Sequence, residues 1–213
     1  MPITEIFLVR HGETEWNVQQ RLQGHADSPL TDIGHQQAEA LAGSLQSYDF
    51  DAIYSSDLKR AVDTADKIVS KNGGQLQEDS RIRERHFGVL QGLTTIEMAE
   101  QHPHVWQQYQ SYAPDYCIPE GESAKECLQR VVQCFDELVT KHQGKRILIV
   151  THGGILSIFL KYVLKIPLDT PRRYQLLNSS LNIFTYDKEW MLYSWGDMCH
   201  VHNVRSLDDN TNT

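Results

Sequence analysis

Two histidines in the 213-residue chain stand where an imidazole can do group-transfer chemistry. His11 lies in Arg10-His11-Gly12-Glu13-Thr14, directly after an apolar run, and His152 lies in Thr151-His152-Gly153-Gly154, directly after another. A third apolar run ends at Ser55-Ser56, with Arg60 shortly beyond it, and Glu84 sits in the charged stretch Arg81-Ile82-Arg83-Glu84-Arg85-His86. Two guanidiniums in one pocket bind a phosphoryl group through paired N–H donors better than they bind anything neutral. An imidazole beside them can attack phosphorus. Its other nitrogen must be held by an acceptor, such as a backbone carbonyl of the following loop, so that the attacking nitrogen carries no proton. A leaving alkoxide then needs a proton, and Glu84 is the carboxyl placed there as general acid, and as base for water in the second step. His152, kept cationic by the phosphate, stabilises the equatorial oxygens. Glu13 and Glu15 are the other carboxyls near these motifs.

Elements that bring such residues together are visible in the apolar pattern. Residues 3–9 read as a buried strand, 51–54 as a short strand, 76 onward as an edge strand and 146–151 as a second strongly buried strand. Helical spacing runs through 30–45, with Thr31 as its cap, and Ser56 caps a helix reaching about residue 70 that Gly73-Gly74 ends. A helix is expected over 94–109, and Ser123-Ala124-Lys125-Glu126 is a capping box opening another to 141. Residues 153–164 return as a helix, and two period-two segments near 180–186 and 190–195 read as terminal sheet strands. This alternation predicts an α/β fold, a three-layer sandwich with a mostly parallel central sheet flanked by helices. The segment 86–122 has helix without a matching strand and reads as a small helical cap inserted over the sheet. Residues 1–213 then make one domain with a frayed tail at 203–213. Ligands bind outside the carboxyl ends of such strands, where helix N-termini offer free N–H groups to an anion. Both His and both Arg converge there, and Gly12, Gly153 and Gly154 let backbone approach.

Lys and Arg total 20 against 28 Asp and Glu, a net charge of −8. That balance excludes a basic nucleic-acid binder and gives no charge reason to expect an anionic membrane surface. It leaves room for an anionic substrate held by a few convergent Arg. None of the cysteines, at 117, 127, 134 and 199, form C-x-x-C, the N-terminus shows no signal peptide, and the most apolar window, 155–164, is too short to span a bilayer. A reduced, cytoplasmic protein is expected, with a small phosphorylated metabolite as its partner and neither nucleic acid nor membrane.

Three other patterns carry less. Cys199 to Arg205-Ser206 has the C-x5-R-S spacing of cysteine-dependent phosphatases, but the intervening segment has no Gly and only seven residues follow Ser206. Asp49-Phe50-Asp51 lacks the strand and Thr of an aspartyl nucleophile and reads as a turn. Cys199, His200 and His202 have no second ligand pair at metal spacing. Cys127 and Cys134 read as core, and no G-x-x-x-x-G-K-[ST] motif is present.

R-H-G-E-T at 10–14, S-S-D-L-x-R at 55–60, R-x-R-E-x-x-F-G at 81–88 and V-T-H-G-G at 150–154 together resemble the histidine phosphatase superfamily. The closest likeness is to its branch of phosphoglycerate mutases and mutase-like phosphatases, over residues 3 to about 200. The resemblance implies that His11 forms a phosphohistidine, that Arg10, Arg60 and His152 complete the phosphate clamp, and that Glu84 transfers the proton. It further implies contacts to the transferring group from Asn17, from the loop at Gln23-Gly24 and from the backbone N–H of Gly153. No metal and no cofactor are implied. Homodimers are common in that family, although no exposed apolar stripe argues for one here.

Mutases and phosphatases of the family differ in what receives the phosphoryl group. The mutase branch places a Lys after R-H-[FY]-G-x-L-x-G-x and an adjacent Arg pair further on. Here Thr94-Thr95 follow the segment 85–93, and Trp106-Gln107-Gln108-Tyr109 lies where the Arg pair is expected. The stretch from Glu84 to His152 is also short for a mutase, although Glu84-Arg85-His86-Phe87-Gly88 is mutase-like in wording. Ile118-Pro119-Glu120-Gly121-Glu122-Ser123 resembles mutase-like phosphatases, and its Glu residues argue for a substrate with little charge beyond its phosphate. A metal-independent phosphatase acting on a small phosphomonoester is favoured. The alternatives are a 2,3-bisphosphoglycerate-dependent phosphoglycerate mutase and, from another class, a non-catalytic phosphate-binding adaptor.

Overall fold

The computed structural model describes residues 2–201. In chain order these form β1 (Thr4–Arg10), α1 (Glu15–Val18), α2 (Asp32–Ser44), β2 (Ala52–Ser55), α3 (Lys59–Asn72), β3 (Leu76–Glu78), α4 (Thr95–Gln101), α5 (Pro103–Gln110), α6 (Ala124–Lys141), β4 (Arg146–Thr151), α7 (Gly153–Val163), β5 (Leu181–Asp187) and β6 (Glu189–Asp197), with short 3-10 turns between several of them. One six-stranded sheet runs in the order β3-β2-β4-β1-β5-β6. β1, β2, β3 and β4 are mutually parallel, while β5 and β6 join antiparallel at one edge.

β1 is apolar throughout because both of its faces are covered. Ile6 and Leu8 pack with Val131, Phe135, Ile155 and Phe159 of α6 and α7, whereas Phe7 and Val9 pack with Leu41, Ala61, Ala65 and Ile68 of α2 and α3. The predicted sandwich of helices, mostly parallel sheet and helices is therefore present. Cys127 and Cys134 are fully buried in the first of these clusters, as expected of core residues. No helix among the described residues is long and apolar enough to cross a membrane.

Several helix ends match their sequence signals. The Thr31 hydroxyl accepts from the Gly34 N–H at 2.9 Å, Ser123 and Glu126 make the reciprocal capping box, and Gly73 ends α3 in the left-handed region.

Two expectations need correction. The helix over 94–109 is two helices, α4 and α5, because Pro103 has no N–H to continue the first and instead starts the second at N1. Ser56 is not the cap of α3. The helix begins at Lys59, and the Ser56 hydroxyl accepts from the Leu58 N–H at 3.3 Å in the turn before it.

Residues 86–122 carry α4, α5 and a cluster of their own around Phe87, Leu90, Met98 and Ile118. Asp49-Phe50-Asp51 is a loop in which Phe50 meets the Phe7 ring edge-on at 5.3 Å. Edge strand β6 exposes Met191 and Tyr193 side by side. His202, Arg205, Ser206 and the tail 203–213 lie outside the described residues.

Candidate active site

The parallel register sets Arg10 of β1 beside Thr151 of β4, so His11 and His152 leave adjacent strands at the same carboxyl end. Their rings lie 5.3 Å apart, tilted by 58°. The His11 Nδ1 is 2.7 Å from the carbonyl of Gly12, the acceptor that an attacking imidazole requires. With its proton fixed on Nδ1, the ring keeps its lone pair on Nε2. Burial, and then the charges of Arg60 and Arg10, push the His11 pKa well below the ordinary imidazole value, so the ring is uncharged at neutral pH.

His152 is fully buried at the N-cap of α7, and neither of its ring nitrogens has a hydrogen-bond partner among the described residues. Burial, followed by Arg60 and His11, pushes its pKa well down as well. The cationic form expected of it therefore depends on negative charge entering beside it.

Arg60, at the second position of α3, is 1% exposed. One Nη donates to the Ala26 carbonyl and to Oδ1 of Asp27, both at 2.9 Å, and the other to the Gly24 carbonyl at 2.7 Å. Its Nε has no partner among the described residues. Burial pulls its pKa down and Asp27 opposes the shift; guanidinium remains charged. Arg10 donates to the Leu176 carbonyl and lies against Gly153, where a Cβ would stand 3.3 Å from its Nε.

Asn17 and Gln23 have local work to do. Asn17 Oδ1 accepts from the Thr14 N–H at 3.0 Å in the capping box of α1, so its amide nitrogen is the donor that remains. Gln23 is buried and donates to the Thr14 hydroxyl at 2.8 Å, while its Oε1 has no partner among the described residues. Gly24 turns with φ +61°, and its carbonyl is the one that Arg60 grips.

Glu84 lies on the irregular segment after the 3-10 turn Ser80–Ile82. Its Oε1 accepts from the Arg85 N–H at 2.8 Å and its Oε2 from the Gly154 N–H at 2.9 Å, two residues beyond His152. It is also close enough to Arg60 to favour the charge there. The competing carboxyls lie elsewhere: Glu15 is exposed on α1, and Glu13 is buried with Oε1 accepting from the Thr31 hydroxyl at 2.8 Å. All nine residues singled out in the sequence thus gather at one end of the sheet, on strand ends, first turns of helices and the loops between them.

Other residues hold this cluster in place and were not foreseen. The His11 carbonyl accepts from Asn178 Nδ2 at 3.0 Å and from the Ser179 N–H at 3.2 Å. The Gly12 N–H donates to the Thr64 hydroxyl at 3.0 Å, and His25 Nε2 lies 2.9 Å from the Glu84 carbonyl. The available signal was Asn178-Ser179-Ser180, a polar triplet between Leu177 and Leu181 that the structure buries. Trp106 and Tyr109, which stand in the sequence where a mutase Arg pair is expected, stack at 5.7 Å on α5 and pack with Phe87. The Glu122 carboxylate is paired with Arg130 at 2.6 Å, so its charge is compensated within the protein.

A sequence model of the family described as "Histidine phosphatase superfamily (branch 1)" matches residues 6–197. The chain is 39% identical over 211 residues to the metal-independent phosphoserine phosphatase of Arabidopsis thaliana, covering 96% of this chain and 86% of that protein. It is 36% identical over 211 residues to the probable phosphoglycerate mutase GpmB of Escherichia coli O1:K1, covering 96% and 98%. Among solved structures, Bacillus stearothermophilus YhfR superposes with a TM-score of 0.86 at 34% identity, covering 93% of this chain and 99% of that one.

Proposed function

The chain belongs to the histidine phosphatase superfamily, branch 1, and from that membership and the site geometry we propose that it hydrolyses a small organic phosphomonoester through a phosphohistidine at His11, without a metal. One observation carries this reading: a buried, uncharged His11 with Nδ1 on the Gly12 carbonyl faces His152 between two guanidiniums. In the first step Nε2 forms a bond to phosphorus while the P–O bond to the alcohol breaks. The departing oxygen takes the proton of the Glu84 carboxyl. Arg10, Arg60, His152 and the Gly153 N–H hold the three equatorial oxygens, with Asn17 and the Gln23-Gly24 loop alongside. The anion brings with it the proton that His152 carries in this role. In the second step Glu84 takes a proton from water, whose oxygen attacks phosphorus, and His11 leaves with its lone pair restored.

Phosphoserine is the first substrate to test, given the Arabidopsis relative at 39% identity. In this reading residues 86–122 cap a single domain and choose the alcohol. Phosphatase is preferred to mutase because Trp106 and Tyr109 stand in the sequence where substrate-gripping Arg residues are expected. The test is phosphate release from phosphoserine, sugar phosphates, nucleoside monophosphates and phosphoglycerates, with EDTA throughout and His11→Ala in parallel. Turnover that survives EDTA and vanishes in the variant supports the reading. Equal release by His11→Ala overturns it, and so does an enzyme that releases nothing yet interconverts phosphoglycerates when 2,3-bisphosphoglycerate is added.

A further inference from the structure

The segment that carries Glu84 has no strand neighbour, so something other than a sheet ladder must fix it. Between the 3-10 turn Ser80–Ile82 and the one at Gly88–Leu90, the described residues form no regular element. The Thr151 hydroxyl meets the Ile82 carbonyl at 2.8 Å and His25 Nε2 lies 2.9 Å from the Glu84 carbonyl, while three successive contacts come from one guanidinium of α6. Arg130 Nη1 donates to the carbonyls of Arg81 at 2.6 Å and Arg83 at 3.1 Å, and Nη2 lies 3.4 Å from the carbonyl of Glu84. The same Nη2 donates to Glu122 Oε1 at 2.6 Å, which also accepts from the His86 N–H at 2.9 Å. The Glu122 N–H returns a bond to the His86 carbonyl at 3.0 Å. One guanidinium and its carboxylate thus tie the backbone on both sides of Glu84.

We propose that Arg130 is a positioning residue that holds Glu84 in place as the proton donor to the leaving alcohol, an inference that rests on the phosphatase reading above. Arg130 touches no reacting atom; it acts through the Glu84 backbone. Its effect is confined to the one step that needs a carboxyl correctly placed, since proton transfer demands hydrogen-bond reach to the departing oxygen. A lysine cannot replace it. Its single ammonium has no planar fork to bridge successive carbonyls while holding Glu122.

The leaving group separates this role from a merely structural one. The kcat/KM value reports events up to release of the alcohol. p-Nitrophenolate departs without a proton, whereas an alkoxide does not. The experiment measures kcat/KM of wild type, Arg130→Lys and Glu84→Gln with p-nitrophenyl phosphate and with the best alkyl monoester. Arg130→Lys is expected to lose about tenfold or more on the alkyl ester and less than about threefold on p-nitrophenyl phosphate, the direction taken more strongly by Glu84→Gln. Equal losses on both substrates, or none on either, overturn the proposal. If Glu84→Gln itself leaves the alkyl ester untouched, the assignment of the acid is what has failed, and the proposal falls with it. Should Arg130→Lys not fold, Glu122→Gln loosens the same tie from its other end and is judged by the same ratio.

Discussion

Gly154 donates its backbone N–H to Oε2 of Glu84 at 2.9 Å, and it leaves no room for a side chain, since a Cβ there would lie 2.2 Å from Oε1 of the same carboxyl. The loop that presents His152 therefore also seats the carboxyl of a separate segment. His152 and Glu84, from two distant parts of the chain, share one anchor, and the absence of one methyl group permits it.

Gly154→Ala should consequently harm activity and spare the fold. The clash is with the far end of a flexible side chain, which can swing away, and alanine is the better helix former by up to about 1 kcal/mol. We expect kcat/KM for an alkyl phosphomonoester to fall about 10- to 100-fold while the melting temperature holds or rises. Steady-state kinetics and thermal unfolding of the same preparation check both halves.

Gly34→Ala should do the reverse. A Cβ at Gly34 would lie 2.0 Å from the Glu13 carbonyl oxygen and 2.9 Å from the Glu13 N, and backbone cannot rotate out of the way. A loss of about 2–3 kcal/mol is expected in urea unfolding, against a neutral to slightly stabilising effect of Gly43→Ala in α2, where a Cβ would meet nothing nearer than Lys71 Nζ at 3.9 Å.

Acid should destabilise the protein from about pH 6.5 downward. Burial holds the pKa of His11 and His152 far below the ordinary value, and burial with His86 nearby lowers His25 to about 4. Below pH 6.5 the unfolded chain takes up protons that these folded rings do not, so stability is full above that pH and declines as pH falls. His11 and His152 each contribute a slope of up to about 1.4 kcal/mol per pH unit. Urea midpoints at pH 7.5, 6.5 and 5.5 should fall in that order. A flat profile would count against neutral buried rings.

Asp27→Ala should weaken both stability and substrate capture. It removes the carboxylate that pairs with the 1%-exposed Arg60 at 2.9 Å and leaves a buried charge with carbonyl partners only. Because Asp27 is itself partly exposed, a loss of about 2–3 kcal/mol is expected, below the full range for breaking a buried pair. KM for a phosphomonoester should rise about tenfold, as the guanidinium loses its orientation. Isothermal denaturation and initial rates decide this.

The proposed nucleophile and clamp were legible because each ends or follows a strongly apolar strand, and strand ends in an α/β sheet converge. His11 and His152 could be placed from that rule, while Arg60, on α3 beyond the end of β2, was placed by its position in the first turn of the following helix. Pro103 was equally visible, yet the apolar spacing continues on both sides of it, and the pattern overrode the break. Asp27, Asn178 and Arg130 were not legible for another reason. Each is a polar residue whose partner is decided by tertiary approach, Asn178 meeting the His11 carbonyl across 167 positions of sequence. Spacing describes one element at a time and says nothing about which carbonyl a loop amide will reach.

That 167-position closure also dictates when the site can exist. β1 is flanked by β4 and β5, both from the last third of the chain, and Arg10 is gripped by the Leu176 carbonyl. During synthesis the proposed nucleophile emerges almost first and the groups that shape its loop almost last, so a nascent chain short of about residue 180 leaves His11 after a strand that lacks β5, and one short of about residue 146 lacks β4 as well. Pairings of such long sequence separation form late and slowly. In the finished protein, detaching β5 together with the residues 176–179 that lead into it would free the His11 carbonyl and Arg10 at once, so activity is expected to be lost as a unit.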